Sequence, residues 1–175
     1  MDRAQSVDEA EIRRFRAGAG TWWDADGPYA ALHRLNPVRL AFIREQAIAH
    51  FAREDGSATP LAGLSAIDIG CGGGLLSEPL TRLGGKVTGI DPATEVISAA
   101  RAHAHDSGLE IDYRATSAEA MAEDGARFDV VLAMEVIEHV TDPAEFIKTC
   151  AALMAPGGLL FAATINRTLK SFALA

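Results

Sequence analysis

The chain has 175 residues, 49% of them apolar and 23% charged, and carries a net charge of −8. That length suits one domain with a real core. The acidic balance, without a basic stripe to neutralise phosphates, argues against a nucleic-acid partner. The two cysteines, Cys71 and Cys150, are far apart and make neither a disulfide framework nor a metal-ligand spacing. A reducing cytosol is therefore the expected setting. No apolar run approaches the roughly 18 residues a membrane span needs. Residues 1–11 are too acidic for a transit peptide and lack the apolar region of a signal peptide.

The spacing of Ile12 and Phe15 predicts a short helix over 7–17, with Ser6 as its cap and Glu9 completing a capping-box spacing. Thr21-Trp22-Trp23-Asp24 follows and holds both tryptophans of the chain. This reads as a hydrophobic plug fixing an N-terminal arm on the domain; a lid over a cleft is the alternative. Asn36 suits an N-cap and Pro37 a first helical position. Leu40, Ile43, Ala47 and Phe51 then recur on one amphipathic face, which fades by residues 55–57. Arg39 falls in the first turn of that helix, where a cation is disfavoured by the helix dipole, so either a partner or a solvated arginine is expected. Residues 1–60 form the arm in this reading and 61–175 the core.

From residue 65 onward the pattern alternates. Strands are expected at 65–69, 86–90, 110–114, 128–133 and 159–164, and helices at 75–83, 93–106, 117–122 and 143–154. Pro156-Gly157-Gly158 reads as the turn into the last strand. Alternating segments of this kind predict an α/β fold, Rossmann-like, with a parallel sheet covered by helices on both faces. Ligands in such sheets sit at the carboxyl ends of the strands.

Two constellations fall there. Asp68-Ile69-Gly70-Cys71-Gly72-Gly73-Gly74 ends the first strand in a glycine run, where positive φ and close backbone approach are available. Asp91 ends the next apolar run, about 20 residues on, where an acidic residue suits a ribose diol. A dinucleotide loop would carry a third glycine after two further residues; Leu75 stands there instead. The loop resembles motif I of class I S-adenosylmethionine (SAM) methyltransferases; a tight turn without a ligand is the bland alternative. The other constellation is Met134-Glu135-Val136-Ile137-Glu138-His139. On one helical turn, Glu135, Glu138 and His139 would share a face. Two carboxylates and an imidazole suit a divalent cation or a general base, and charges capping the next helix are the remaining reading.

Trp22-Trp23-Asp24, the block Leu32-His33-Arg34-Leu35-Asn36-Pro37-Val38-Arg39-Leu40, the glycine loop, Met134 to Val140 and Thr164-Ile165-Asn166-Arg167-Thr168 together resemble the ubiquinone-biosynthesis O-methyltransferase family. The resemblance implies methyl transfer from SAM to a hydroxyl of polyprenyl catechols, 2-polyprenyl-6-hydroxyphenol and 3-demethylubiquinol. It implies SAM contacts at Arg39, Gly70, Asp91 and Met134, with Arg39 reaching the cofactor carboxylate. It implies divalent-metal ligands, most simply for Mg²⁺, at Glu135, Glu138 and His139, with His139 an alternative proton acceptor. A hydrophobic polyprenyl phenol substrate, other enzymes of the pathway and the inner-membrane surface are the partners it implies. A cytoplasmic protein bound peripherally to that membrane is the expected location. Family members carry two further strands and a segment implicated in substrate entry, which a chain ending at Ala175 is expected to lack. A methyltransferase of another small acceptor and a SAM-binding module without catalysis are the competing readings.

Overall fold

The computed structural model describes residues 18–164. The expected helix over 7–17 and the Asn166-Arg167 motif lie outside them. The elements are α1 (Ala30–His50), β1 (Ser65–Ile69), α2 (Ser77–Arg82), β2 (Lys86–Asp91) and α3 (Thr94–Asp106), then β3 (Asp112–Ala115), α4 (Ala118–Glu123), β4 (Phe128–Met134), α5 (Pro143–Leu153) and β5 (Met154–Ala163). Single 3-10 turns occur at Ala19–Thr21 and Ile137–His139.

The strands make one sheet in the order β3-β2-β1-β4-β5. Every neighbouring pair is parallel. The order reverses between β1 and β4, so the carboxyl ends of those strands diverge into a crevice. Side-chain alternation divides the central strands between two cores. Ile67, Ile69, Val131 and Ala133 face one cluster with Phe146, Cys150 and Leu153 of α5. Ala66, Val130 and Leu132 face the other, with Ile43 and Ala47 of α1 and Leu80 of α2. Both faces of β1 and β4 are thus buried, which explains their unbroken apolar runs.

Two expectations need correction. The first long helix begins at Ala30, not after Asn36, so Pro37 lies inside it. An interior proline forfeits one backbone hydrogen bond and costs about 3 kcal/mol. Tertiary contacts outweigh that loss: Tyr29 and Leu32 pack against the cluster of Trp22, Leu75, Ala93 and Val96. The helix is entered through a turn in which Ala30 N–H donates to Gly27 O (3.0 Å). Asn36 and Arg39 are therefore interior residues, and the unfavourable first-turn placement of Arg39 does not arise.

The second correction concerns β5. It begins at Met154 and runs through Pro156-Gly157-Gly158 rather than starting after them. The register moves from Phe128↔Met154 to Val130↔Leu159, so the extra residues are accommodated as a bulge. Gly157 there adopts φ +76°, and its carbonyl oxygen lies 2.7 Å from His50 Nε2 at the end of α1.

Candidate active site

The glycine loop joins β1 to α2 with three left-handed glycines: Gly70 (φ +68°), Gly72 (φ +53°) and Gly74 (φ +89°). A side chain at Gly70 would meet Val136 Cγ2 at 2.6 Å, and one at Gly72 would meet the Trp22 ring at 2.5 Å. Lack of a Cβ at Gly72 thus makes room for a tryptophan of the same chain. Trp22 stacks on Tyr29 (centroids 3.8 Å, interplanar 5°) and accepts at its carbonyl from His33 Nε2–H (2.8 Å). Trp23 Nε1–H donates to Gly73 O (2.9 Å), and its ring stacks on His103 of α3 (3.7 Å, 5°). His103 Nδ1–H donates in turn to Glu78 Oε1 (2.5 Å), a fully buried carboxylate that also accepts from Arg82 Nη2 (3.2 Å). The plug and the cleft wall are one structure, because Trp22 packs on the loop and also lines the cavity beside it. Sequence reading missed Glu78 and His103; their pairing crosses two helices and no local spacing signals it.

Asp91 ends β2 as expected. Its Oδ1 accepts from Ala93 N–H (2.9 Å) and its Oδ2 from Gly72 N–H (3.3 Å). Burial pushes its carboxyl up, and those two backbone bonds oppose the shift. A carboxylate has about four lone-pair sites, so two backbone bonds leave acceptors for a diol. Asp68 is buried on β1 and takes a hydrogen bond from Ser77 Oγ (2.6 Å). Burial raises its pKa from 3.8 to about 6, against the Ser77 bond.

Across the crevice, Arg39 of α1 forms an ion pair with Glu135, which follows β4. Glu135 has φ +58°, a left-handed backbone that a non-glycine residue rarely adopts. Such outliers persist where surrounding structure enforces them and cluster at functional sites. Its N–H donates to Ala163 O of β5 (2.8 Å). The expectation that Glu135, Glu138 and His139 share one helical turn is not met. Glu135 sits in the bend before the 3-10 turn Ile137–His139, which carries the other two. Glu135 and Glu138 still interact. Burial and its bond to Glu138 raise the Glu135 carboxyl, although Arg39 draws it down. Glu138 lies below its ordinary value; burial opposes this, but its own backbone N–H, Thr164, Glu135 and the nearby His139 outweigh it. Thr164 Oγ1–H donates to Glu138 Oε2 (2.8 Å).

These groups surround a cavity of about 280 Å³ at the carboxyl ends of β1, β2 and β4. Arg39, Gly70, Asp91, Met134, Glu135, Glu138 and His139 all line it. The structure therefore gathers every site residue expected from sequence around one space. It also adds Asn36, which is 8% exposed. Asn36 Nδ2–H donates to Leu75 O (3.4 Å), while its Oδ1 is buried without a hydrogen-bond partner among the described residues. A smaller apolar recess of about 40 Å³ adjoins the cavity across Gly70, Pro92 and Val136. Among the described residues, no group of three or more His, Cys, Asp or Glu side chains converges as a metal cage. As placed, the donor set fits a divalent ion in part, through the paired Glu135 and Glu138 carboxylates.

A sequence profile described as a methyltransferase domain matches residues 67–162. Ubiquinone biosynthesis O-methyltransferases from Methylobacterium sp. (strain 4-46) and Caulobacter sp. (strain K31) are 56% and 57% identical to the chain. Each match covers 97% of this chain and 68% of the relative. The chain belongs to the ubiquinone biosynthesis O-methyltransferase family. As a member of that family it is a SAM-dependent methyltransferase. The fold agrees: the DhpI–SAH complex has a TM-score of 0.70 at 21% identity, over 94% of this chain and 72% of that one. The T. thermophilus 16S rRNA N2 G1207 methyltransferase in complex with AdoMet and guanosine has a TM-score of 0.53 at 24% identity, over 69% of this chain and 33% of that one. In this methyltransferase family member the cavity offers what SAM requires: a guanidinium, the half-buried Asp91 carboxylate and a glycine-lined floor.

Proposed function

We propose that this protein transfers a methyl group from SAM to a hydroxyl of polyprenyl catechols, 2-polyprenyl-6-hydroxyphenol and 3-demethylubiquinol, in ubiquinone biosynthesis. The observation that carries the reading is the gathering of Arg39, Asp91, Glu135 and Glu138 around one cavity at the sheet's switch point, in a chain 56% identical to proteins of that name. Asp91 would accept the ribose hydroxyls. Arg39 would hold the cofactor carboxylate with donors left over from Glu135, since a guanidinium has five. The apolar recess behind Pro92 and Val136 suits the adenine ring.

Bound SAM supplies an electrophilic methyl on a sulfonium: the S–C bond breaks as the O–C bond forms, and the phenol proton must leave. Phenols ionise near pH 10, so a base or cation beside the oxygen raises the reactive fraction at neutral pH. In this reading the adjoining Glu135 and Glu138 and the neighbouring His139 would take that proton. A divalent ion, Mg²⁺ by the oxygen character of these ligands, would lower the phenol pKa when held by Glu135 and Glu138, with His139 as a third ligand. Peripheral association with the inner membrane is part of the reading. Its support is an exposed apolar stripe on α1, formed by Leu35 (46%), Val38 (68%) and Phe42 (55%). No helix among the described residues is long and apolar enough to cross a membrane.

Labelled SAM offered with a prenylated catechol and with a polar catechol tests the substrate. Preference for the prenylated acceptor is expected, and equal or reversed turnover overturns the assignment. A chelator arm tests the ion: full activity after exhaustive chelation removes the metal and leaves Glu138 and His139 as proton-handling groups. Asp91→Ala tests the cofactor geometry. Charge-assisted hydrogen bonds are worth about 1.5–3 kcal/mol, so SAM should bind roughly ten- to a hundredfold more weakly by calorimetry. Unchanged affinity would show that Asp91 is not the ribose ligand.

A further inference from the structure

We infer that Asn36 is a cofactor-binding residue whose side-chain oxygen accepts a hydrogen bond from the α-ammonium of SAM, beside the Arg39 site for its carboxylate. This rests on the SAM-binding reading of the cavity and names how one end of the ligand is read.

Asn36 is buried in the middle of α1 and lines the cavity. Buried amides are almost always satisfied, because an unpaired buried acceptor has lost its water without gaining a donor. Asn36 satisfies only one end of its amide. Its nitrogen donates to the Leu75 carbonyl at the close of the glycine loop (3.4 Å), and its oxygen has no partner among the described residues. Inverting the amide would set two oxygens against each other, so the Leu75 carbonyl fixes the oxygen as the end left without a donor. The unmet need is therefore for a donor, and the cavity is where a donor can arrive.

The neighbouring groups select which donor. Asn36 and Arg39 are three residues apart on one helix, which places their Cβ atoms about 5–6 Å apart on the same face. In an α-amino acid, ammonium and carboxylate hang from a single carbon, so the groups that read them must be adjacent. Arg39 suits the carboxylate. Asp68 is engaged by Ser77, and the acceptors that Asp91 keeps beside its bonds to Gly72 and Ala93 are those assigned to the ribose hydroxyls. A neutral amide has a further property that an aspartate would lack. It accepts from a cation without forming an ion pair with Arg39, which stays available to the carboxylate.

The test compares S-adenosylhomocysteine with its des-amino analogue, titrated by calorimetry into the wild-type chain, Asn36→Ala and Asn36→Asp. Circular dichroism and thermal melting establish that each variant is folded. The wild type is expected to prefer S-adenosylhomocysteine. Asn36→Ala should weaken that ligand roughly ten- to a hundredfold while leaving the des-amino analogue nearly unchanged, so the preference disappears. Asn36→Asp keeps an acceptor and should keep the preference, while the lost bond to Leu75 and a new ion pair with Arg39 weaken both ligands alike. Equal losses for both ligands in Asn36→Ala, or a preference that survives it, would reduce Asn36 to a support for Leu75 and overturn the inference alone. A wild-type chain that binds neither ligand would overturn the cofactor reading as well.

Discussion

At the β1–β2 side of the cleft the polar groups are held by the protein itself. Asp68 is bonded to Ser77, Asp91 to two backbone N–H groups, and the glycine loop is clamped from above by Trp22 and Trp23. At the β4 side charged side chains contact one another beside the cavity. Glu135 stands on a left-handed backbone between Arg39 and Glu138, and Glu138 and His139 sit on a single 3-10 turn. The first wall is rigid because its geometry follows from backbone conformation and close packing. The second holds unlike and like charges near each other, an arrangement that favours reaction over stability. In the proposed reaction the first wall would position the cofactor and the second would exchange protons and charge.

The comparison is broken most severely at Gly72. Alanine there meets a left-handed backbone, costing about 1–2 kcal/mol, and the Trp22 ring, where overpacking costs about 1–3 kcal/mol. At roughly 2–4 °C per kcal/mol for a chain of this size, Gly72→Ala should lower Tm by about 4–20 °C. A melting point within 2 °C of wild type, on the order of experimental scatter, would mean that Trp22 does not clamp the loop.

Asp68 gives a smaller effect with a distinctive pH signature. Its native pKa, raised to about 6 from 3.8 by burial, means the folded chain keeps the proton after the unfolded chain has lost it. Stability from this group is therefore full below about pH 4, falls as pH rises through the window to about 6, and is flat above. Asp68→Asn should remove that slope and raise stability at pH 8 by about 1–3 kcal/mol, measured by denaturant titration at several pH values. Identical pH dependence in both proteins would show that Asp68 is ionised in the fold.

Glu135→Gly should sharpen the contrast with the least change in stability. Glycine relieves about 1–2 kcal/mol of left-handed strain, while the mostly buried, charge-assisted bond to Arg39 lost with it is worth about 1.5–3 kcal/mol. Net stability should stay within about 2 kcal/mol of wild type while methyl transfer collapses. A loss above roughly 3 kcal/mol would make Glu135 a structural residue.

The sheet was legible because its signals are local. Ile67 and Ile69 alternate across β1, and Asp91 closes the run from Lys86, so those strands match their expected bounds almost residue for residue. The misread helix start had a local cause as well. Asn36-Pro37 carries a strong start signal, and only contacts from Tyr29 and Leu32 to residues far along the chain extend α1 backward through it. The same error hid Asn36, since a capping residue has no reason to face a cavity. Pro156-Gly157-Gly158 misled similarly: its turn chemistry is real but is absorbed as a bulge pinned by the β4 pairing. At the site, residue types and positions were readable while their pairings were not. The Arg39–Glu135 pair spans 96 residues of sequence, and no periodicity reports on such a contact.

Both tryptophans of the chain belong to the clamp on the glycine loop, one stacked on Tyr29 and the other on His103. The protein's indole emission therefore originates entirely from this one corner. Excitation at the red edge of tryptophan absorption reads the clamp without background from the rest of the sheet. Loop opening would expose Trp23 to water and separate it from His103, shifting and brightening its emission. The occupancy and motion of the cleft can thus be followed in unlabelled protein, in real time, by light alone.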